Sequence, residues 1–491
     1  MKLSELLSSI PFYKTSSSTK NISIKDIEMD SRKVKVGDLF VCISGFTVDG
    51  HDYVNQAIEN GAVAIIAEKA VTANAPVITV PDTSRTMAML AVKFYNYPTS
   101  RLPLIGVTGT NGKTTTTYLL ETIFNHHDKK TGIIGSIQMK IGEETYQVDN
   151  TTPDALLLQK TFSKMLAKGV NQAIMEVSSH ALDLGRVHGC DFDIAVFTNL
   201  SQDHLDYHKN LDDYLHAKSL LFAQLGNDYK EHNKKFAVIN EDDSSSKLLK
   251  RSTAQHVVTY GCRNDAQVMA KEIKLDAAGT TFNLITPIGT IAITSKLIGM
   301  FNVYNMLAAA ATAITANIPL HVIKSALENV TGVSGRFEPV ALGQPFSVIV
   351  DFAHTPDSLQ NILETSNGFR KNKVYVVVGC GGDRDRTKRP LMAAIASNYA
   401  DHAIFTSDNP RTEDPKDILK DMVNGVAASV DNYEVITDRK EAINRAIHYA
   451  EKDDIVIIAG KGHETYQLIG HDKHDFDDRK VAKEAILAKE N

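Results

Sequence analysis

The sequence predicts an α/β protein of three domains. Its 491 residues are more than one domain commonly holds, and at roughly 150 residues per domain about three are expected. Short apolar runs rich in β-branched residues alternate with longer stretches of helical period, a pattern typical of parallel sheets crossed by helices. Hydrophobic residues make up 43% and charged residues 23% of the chain, so each domain can bury an ordinary core.

Two polar stretches that contain proline or glycine divide the chain. Residues 97–103 precede a strand expected at 104–107, and residues 331–336 precede a strand expected at 347–350. We therefore expect domains at residues 1–100, 101–335 and 336–491. The alanine-rich stretch 306–318 is too short to span a bilayer and is interpreted as a buried helix.

Charge and cysteine content exclude several classes of protein. Lys plus Arg total 53 against 59 Asp plus Glu, and the net charge of −6 gives no overall attraction to nucleic acid or to anionic lipid. Neither a nucleic acid nor a membrane is expected as a partner.

The 4 cysteines form no CxxC pair, which argues against a disulfide framework or a zinc cluster and fits a reducing compartment. Because Ser4 and Glu5 interrupt the apolar run that a signal peptide needs, a cytoplasmic protein is expected.

A glycine-rich loop follows the first strand of the second segment, and a helical run follows the loop. A strand, a glycine turn, Lys-Thr and a helix in this order form a cradle whose backbone N–H groups surround phosphates. Lys113 would lie on the β- and γ-phosphate oxygens, and the Thr114 hydroxyl on Mg²⁺. The general motif has glycine where Val107 stands, so Gly106 or Gly109 is expected to form the turn. The alternative is an ordinary glycine turn with an exposed lysine.

Two later segments place acidic residues or histidines after strands. Glu176 ends the apolar run 173–176, a position from which a carboxylate reaches the metal of a phosphoryl-transfer site, although a solvated strand-end glutamate fits equally well. Residues 199–208, after the strand 194–198, are rich in Asp and His. Histidine suits a transition metal, whereas Mg²⁺ prefers oxygen, and an ordinary polar loop is an equal alternative.

Four apolar runs of the third segment each end in a polar or glycine-rich cluster, at residues 351–356, 379–386, 407–411 and 459–464. The carboxyl ends of parallel strands form a ligand crevice, so we expect these clusters to converge rather than to be separate solvated loops. They offer guanidinium groups for carboxylates and carboxylates for ammonium groups. Such a site suits an amino acid with two zwitterionic ends.

These motifs occur together in a known family. The segments 109–115, 176–180, 198–206 and 299–305 resemble those of the Mur ligases of peptidoglycan synthesis, and the resemblance spans essentially the whole chain. It implies a smaller N-terminal α/β domain that binds the UDP-substrate, a central P-loop ATPase-like domain with a parallel sheet, and a C-terminal Rossmann-like domain that binds an amino acid. Asp30-Ser31-Arg32 and the segment 45–50 resemble the members that add the third amino acid to UDP-N-acetylmuramoyl-L-alanyl-D-glutamate.

The resemblance also implies roles for individual residues. The catalytic set would be Lys113, Glu176, His204, Lys218 and His354. ATP would contact Thr108, Gly109, Thr110, Asn111, Gly112, Lys113, Thr114, Thr115, Asn302, Arg336 and Asp351. Two Mg²⁺ ions would be held by Thr114, Glu176, His204 and a carbamylated Lys218. The UDP-substrate would contact Ser31, Thr151, Thr152, Ser178 and Arg186. The amino acid would contact Arg384, Asp408, Asn409, Pro410, Arg411, Gly460 and Glu464. Without the resemblance, Lys218 is interpreted as a snorkelling helix lysine.

The sequence Asp-Asn-Pro-Arg at 408–411 resembles that of the members that use meso-diaminopimelate, whose second carboxylate Arg411 would hold. Arg386 and Arg389 remain alternatives to Arg384.

We expect a monomeric ligase acting on the UDP-linked dipeptide and meso-diaminopimelate. The alternatives are an L-lysine-adding ligase, a folylpolyglutamate-synthase-type ligase and an ATP-driven switch without ligation. Folylpolyglutamate synthases have their phosphate loop near the chain start, whereas here residues 1–100 precede it.

Overall fold

The computed structural model describes residues 1–15, 18–45, 48–148, 150–229, 234–276 and 279–490, and Phe46 and Thr47 of the segment 45–50 lie outside these ranges. The strands are β1 Lys14–Thr15, β2 Ile27–Glu28, β3 Leu39–Val41, β4 Ala64–Ala67, β5 Val77–Thr79, β6 Leu104–Thr108, β7 Thr131–Ile134, β8 Met139–Ile141, β9 Glu144–Tyr146, β10 Gln172–Glu176, β11 Ile194–Phe197, β12 Phe236–Asn240, β13 His256–Gly261, β14 Val268–Asp276, β15 Gly279–Thr286, β16 Gly289–Ser295, β17 Glu338–Pro339, β18 Ser347–Asp351, β19 Val374–Val378, β20 His402–Phe405, β21 Tyr433–Val435, β22 Ile455–Ala459, β23 Tyr466–Ile469 and β24 Asp472–Asp475.

The helices are α1 Leu3–Leu7, α2 Val54–Glu59, α3 Thr83–Phe94, α4 Lys113–His126, α5 Ala155–Ala167, α6 Ser179–Asp183, α7 Leu211–Ala223, α8 Ser246–Arg251, α9 Met300–Thr315, α10 Leu320–Asn329, α11 Pro356–Phe369, α12 Lys388–Tyr399, α13 Pro415–Val423, α14 Arg439–Tyr449 and α15 Asp478–Glu490. Parallel strands alternate with helices, so the predicted α/β class is confirmed. Within the described ranges, no helix has both the length and the apolar character that crossing a bilayer requires.

The chain forms two compact units. The first consists of Met1–Gly106 and Lys129–Asp193, and the second of Val107–Asp128 and Ile194–Asn491. In the first unit, a sheet of order β1-β5-β4-β3-β2 is parallel except for β1. A second group pairs β10 with β7 in parallel, and β8 and β9 continue it as antiparallel strands. Buried apolar side chains line both faces of the first sheet.

In the second unit, β11 to β14 form a parallel series that continues into the antiparallel strands β15 and β16. Helices α4, α9 and α10 pack against one another. Helix α9 is buried along most of its length, which confirms the buried helix predicted at 306–318. Its predicted bounds were wrong, because it begins right after Gly299, at φ +99°, and ends before Asn317, at φ +61°.

The last sheet of the second unit has the order β17-β18-β22-β19-β20-β21, in which β17 alone is antiparallel. All four strands predicted in this segment are present. Helices cover both faces, and each face carries its own buried cluster of aliphatic side chains. Because β18, β22, β19 and β20 are parallel neighbours, their carboxyl ends lie along one edge of the sheet. The hairpin of β23 and β24 forms a separate two-stranded sheet.

Candidate active site

The loop between β6 and α4 can be built only with glycine at two positions. Gly109 has φ +145°, and a Cβ there would lie 1.9 Å from Thr198 Oγ1. Gly112 has φ +85°, and a Cβ there would lie 2.3 Å from Asn305 Oδ1. Of the two glycines that the sequence left open, Gly109 is therefore the one that forms the turn, while Gly106 lies inside β6.

The end of β11 fixes the shape of this loop. The Thr110 N–H donates to Asn199 O at 2.8 Å, and the Asn111 N–H donates to Asn199 Oδ1 at 2.9 Å. The Thr198 hydroxyl donates to Asn111 O at 2.6 Å. The backbone of a loop held in this way is preorganised for an anion at the N-terminus of α4.

Two lysine ammonium groups meet at the loop. Lys113 Nζ donates to Gly109 O at 3.0 Å and to Thr110 O at 2.8 Å, and Lys218 Nζ donates to the same Gly109 O at 2.8 Å. Lys218 is only 1% exposed, and its Nζ lies 4.2 Å from the centre of the Tyr214 ring. Burial, together with the nearby charge of Lys113, lowers the pKa of Lys218 well below its usual value. The snorkelling interpretation of Lys218 was wrong, because the ammonium does not reach solvent.

Three further residues were predicted to contact the nucleotide: Asn302, Arg336 and Asp351. Arg336 Nη2 donates to Thr114 Oγ1 at 3.0 Å. Asp351 is buried at the end of β18 and accepts from the Phe337 N–H at 2.6 Å; burial raises its pKa, although the charge of Arg336 opposes this. Asn302 is buried on α9, and its Oδ1 accepts from Asn305 Nδ2 at 3.2 Å.

A buried ionic cluster centres on Asp203. His204 Nε2 lies 3.4 Å, and His354 Nε2 3.7 Å, from Asp203 Oδ2, while Lys388 Nζ lies 3.5 Å from Asp203 Oδ1. Burial opposes the charged carboxylate, but the hydrogen bond from His354 and the charges of Lys388 and the histidines hold the pKa of Asp203 well below its usual range. The structure therefore brings the two predicted histidines together through an aspartate.

In the first unit, five predicted residues form one cluster at the end of β10. Glu176 is 1% exposed and accepts from the Ser136 N–H at 2.9 Å and its hydroxyl at 3.1 Å. That hydroxyl also lies 3.0 Å from Thr151 Oγ1. Thr152 connects the other three residues. Its hydroxyl donates to Glu176 O at 2.9 Å and accepts from the Ser178 N–H at 3.1 Å, and its carbonyl oxygen accepts from Arg186 Nη1 at 3.2 Å.

Ser31, the other residue predicted to contact the UDP-substrate, lies on a short 3₁₀ turn, Ser31–Lys33. It is buried, its hydroxyl donates to Gln56 Oε1 at 2.6 Å, and its carbonyl oxygen accepts from Asn60 Nδ2 at 2.8 Å. These bonds fix its position against α2, and they do not connect it to the cluster around Glu176.

The polar clusters at the carboxyl edge of the last sheet contact one another. Asn409 Nδ2 donates to Glu464 Oε2 at 2.9 Å, and the fully buried Lys461 Nζ donates to Glu464 Oε2 at 2.8 Å and to Asn409 Oδ1 at 3.1 Å. Gly460 has φ +119°, and a Cβ there would lie 2.4 Å from Asp408 Oδ2. That buried oxygen has no hydrogen-bond partner in the part of the chain that the structure describes.

Charge balance in this crevice favours an ionised Asp408. Burial opposes the charge, but Lys461 and Arg439 lower the pKa of Asp408 below its usual value. Arg411 Nη1 donates to Gly382 O at 2.8 Å, and a Cβ on Gly381 would lie 2.8 Å from this nitrogen. The crevice thus presents both signs of charge, as a zwitterionic ligand requires.

The structure distinguishes the three candidate arginines by their partners. Arg389 is fully buried and is bound by Glu413 and Asp421 at 2.7 and 2.8 Å. Arg386 is exposed and also pairs with Asp421. Arg384 Cγ lies 3.8 Å from the position of a Cβ on Gly381, beside Arg411, and its charge acts on the Arg411 pKa. Arg389 Nη2 also donates to Gly381 O at 3.3 Å, but its charge is neutralised by Glu413 and Asp421. Arg384 is therefore the candidate that could act together with Arg411.

Across the described ranges, no group of three or more His, Cys, Asp or Glu side chains lies close enough together to hold a metal ion.

Comparison with known proteins follows the same three segments. The model described as "Mur ligase family, catalytic domain" matches residues 23–95, "Mur ligase middle domain" matches 107–313, and "Mur ligase, glutamate ligase domain" matches 335–462. A relative from Oceanobacillus iheyensis is 64% identical over 491 residues, 100% of both chains. The chain belongs to the Mur ligase family.

Other relatives agree with this assignment. The Oceanobacillus relative, one from Bacillus cereus that is 59% identical over 96% of each chain, and one from Listeria monocytogenes that is 53% identical over 100% of this chain and 99% of its own, carry the same name: UDP-N-acetylmuramoyl-L-alanyl-D-glutamate–2,6-diaminopimelate ligase. A solved structure with that name superposes with a TM-score of 0.70 at 35% identity, covering 100% of both chains. Folylpolyglutamate synthase from Mycobacterium tuberculosis shares the fold, with a TM-score of 0.63 at 17% identity over 77% of this chain and 92% of its own.

Sequence reasoning missed several residues that the structure places among the predicted ones, and Ser136 and Lys461 are described above. Lys388 was overlooked because it lies in a basic stretch, 384–389, of the kind usually found on a solvated face. Asn305 closes the loop at Gly112, and Asp357 Oδ2 accepts from Asn111 Nδ2 at 2.9 Å. No spacing in the sequence indicates the last contact, because 246 positions separate its partners.

Proposed function

We propose that this member of the Mur ligase family is an ATP-dependent ligase of peptidoglycan synthesis. It joins an amine of meso-diaminopimelate to the D-glutamate side-chain carboxylate of UDP-N-acetylmuramoyl-L-alanyl-D-glutamate. The observation that carries the choice of amino acid is the crevice in which Asp408, Asn409 and Glu464 lie beside Arg411. The names of relatives that match the full chain at 53 to 64% identity support it.

The loop 108–115 fits the phosphates of ATP. Its two glycines leave room that any side chain would fill, and Lys113 already reaches across the loop to two carbonyl oxygens. Thr108 Oγ1 is buried without a hydrogen-bond partner among the described residues, so an acceptor or donor remains available there. When ATP binds, Lys113 moves from these carbonyl oxygens onto phosphate oxygens and positions the γ-phosphoryl group.

The reaction follows from these positions. The glutamate carboxylate attacks the γ-phosphorus of ATP, ADP leaves, and an acyl phosphate forms. The diaminopimelate amine then attacks the acyl carbon, a proton is lost from nitrogen, and phosphate leaves. Arg411 and Arg384 hold the distal carboxylate, while Asp408 and Glu464 hold the distal ammonium, so that the reacting amine points away from the crevice.

The residues proposed for Mg²⁺ have suitable chemistry. The Thr114 hydroxyl, the Glu176 carboxylate and a carbamate on Lys218 would each offer an oxygen ligand, which Mg²⁺ prefers, whereas His204 would be the least natural member of the set. Mg²⁺ would neutralise charge on the transferring phosphoryl oxygens. Carbamylation of Lys218 is favoured by its burial and lowered pKa, because only a neutral amine adds to CO₂.

The domain boundaries proposed at residues 100 and 335 agree with the matches of the three family models, which end or begin near them. We also propose that the protein acts in the cytoplasm, a reducing compartment that suits its free cysteines, and that it acts as a monomer.

Phosphate release tests the proposed reaction. The protein is incubated with ATP and every pairing of acceptor (the UDP-linked dipeptide or a folate glutamate) with amine (diaminopimelate, lysine or glutamate). The expected result is phosphate release that requires both the UDP-linked dipeptide and diaminopimelate. Release with folate and glutamate would indicate a folylpolyglutamate-type ligase, and release without any acceptor would indicate a nucleotide switch; either result contradicts the proposal.

A further inference from the structure

Arg411 has an unusual backbone conformation. Its φ is +50°, in the left-handed region that residues with a side chain rarely adopt. Such a conformation persists when neighbouring groups hold it, and it is common at ligand clamps. The conformation also decides where the Arg411 side chain leaves the backbone, and hence where its guanidinium can reach.

The β23–β24 hairpin binds both backbone polar groups of Arg411, its N–H and its carbonyl oxygen. The Arg411 N–H donates to Leu468 O at 3.0 Å, and Arg411 O accepts from the Gly470 N–H at 2.7 Å. These bonds form an isolated bridge between Arg411 and Ile469, the last residue of β23. Both backbone groups of Arg411 are therefore fixed by the end of β23 and the turn that follows it.

The same strand fixes the two residues that begin the Asp-Asn-Pro-Arg sequence. Gln467 Nε2 donates to Asp408 O at 2.6 Å, and the Leu468 N–H donates to Asn409 Oδ1 at 2.8 Å. The second bond orients the Asn409 amide, so that its Nδ2 faces Glu464. The exposed strand β24 pairs with β23 and completes the hairpin.

We propose that the hairpin Tyr466–Asp475 is a specificity-determining element of the ligase: it holds Arg411 in the left-handed conformation and so places the guanidinium for the distal carboxylate of the amino acid. This inference rests on the proposed function, since it concerns the choice between diaminopimelate and lysine. Gly470, Leu468 and Gln467 act through Arg411 and its neighbours and are positioning residues. An amino acid without a second carboxylate makes no use of the Arg411 guanidinium, so it is insensitive to the bond from Gly470.

Gly470→Pro tests the inference. Proline removes the N–H that binds Arg411 O and excludes the φ of +60° that Gly470 adopts. The expected result is a KM for diaminopimelate raised about tenfold, with kcat and the KM for ATP unchanged and the kcat/KM ratio of diaminopimelate to lysine lowered about tenfold. Gly343→Pro is the matched control, because Gly343 is also a glycine at positive φ, is exposed, and has open space at its Cβ position. The control should leave the ratio unchanged.

Gln467→Ala is the milder second variant, which keeps the backbone of the hairpin intact if Gly470→Pro does not fold. It should raise the KM for diaminopimelate about threefold, whereas His474→Ala, on β24 opposite Gln467, should not change it. In an Arg411→Ala background, Gly470→Pro should have no further effect on diaminopimelate, because the group that it positions is gone.

Equal losses with diaminopimelate and lysine, or additive effects in the double variant, would overturn the inference and leave the proposed function standing. A wild-type protein that does not ligate diaminopimelate would overturn both.

Discussion

The ammonium of Lys218 is enclosed by the Tyr214 ring and the Gly109 carbonyl oxygen, where water cannot solvate a charge. A lysine with a lowered pKa loses its proton at a lower pH than an ordinary lysine, so more of its amine is neutral near pH 7. The same residue type at an exposed helix position would stay charged and inert toward CO₂. The chemistry of this side chain therefore depends on burial, which the sequence does not specify.

Lys218→Ala is expected to lower kcat by about 10²-fold or more, because it removes the side chain that we propose carries the carbamate beside the phosphate loop. Adding a short-chain carboxylate should restore part of the rate, since it can occupy the space of the carbamate. Steady-state rates with and without acetate and bicarbonate provide the measurement. Full activity of Lys218→Ala would exclude a role for the carbamate.

Arg411→Ala is expected to lower kcat/KM for diaminopimelate roughly ten- to a hundredfold, because a charge-assisted bidentate pair contributes on the order of 1.5 to 3 kcal/mol. The KM values for ATP and for the UDP-linked dipeptide should change little. Arg386→Ala is the matched control, since Arg386 is an exposed arginine of the same segment that pairs with Asp421. Equal losses in the two variants would mean that Arg411 only braces its turn.

Among the elements, strands and their polar ends were predictable, while the contacts between distant segments were not. The runs at 104–107, 173–176 and 374–378 became strands because short, largely apolar stretches are buried on both faces of a parallel sheet. The carboxyl ends of neighbouring parallel strands then bring residues such as Asn409 and Glu464 together. The left-handed backbone of Arg411 was not predictable, because it depends on hydrogen bonds to a hairpin that begins 55 positions after Arg411.

The strand–loop–helix element of β6 and α4 depends on Gly109. We expect Gly109→Ala to abolish nucleotide binding, because its Cβ would lie 1.9 Å from Thr198 Oγ1 and 3.0 Å from the Asn199 backbone nitrogen. Gly169→Ala is the matched control: Gly169 has φ +74°, but nothing lies within 4 Å of its Cβ position, so only the backbone strain of about 1 kcal/mol is expected. Titration with a fluorescent ATP analogue and thermal unfolding measure both effects. Normal nucleotide binding by Gly109→Ala would contradict the role of this loop.

The second compact unit contains parts of two predicted domains, which polar side-chain contacts join. Lys388 pairs with Asp203, Gln202 Nε2 donates to Thr387 Oγ1 at 3.0 Å, and Arg336 Nη2 donates to Thr114 Oγ1 at 3.0 Å. Each contact joins a residue before position 335 to one after it. The phosphate loop and the crevice around Arg411 therefore lie in one compact unit, although the sequence analysis predicts that they belong to separate domains.

Lys388→Met is expected to destabilise this unit by about 2 to 3 kcal/mol at pH 7, because it leaves a buried carboxylate with only the two histidines beside it. The pKa of Asp203 is lowered in the folded protein, so its stabilising contribution is present above its unfolded pKa and is lost as pH falls through its folded pKa. The difference between variant and wild type should therefore shrink in acid. Denaturant unfolding at several pH values measures it. A pH-independent difference would mean that Lys388 acts through packing alone.

Competition between two amino acids tests whether this ligase selects meso-diaminopimelate through a crevice with charges of both signs. Wild-type protein, ATP and the UDP-linked dipeptide are mixed with equal concentrations of meso-diaminopimelate and L-lysine, and the two tripeptide products are separated by mass. We predict that the diaminopimelate product predominates by tenfold or more, since lysine leaves the half-buried guanidinium of Arg411 without a carboxylate partner. A preference for lysine would contradict the claim, whatever the activities of the variants.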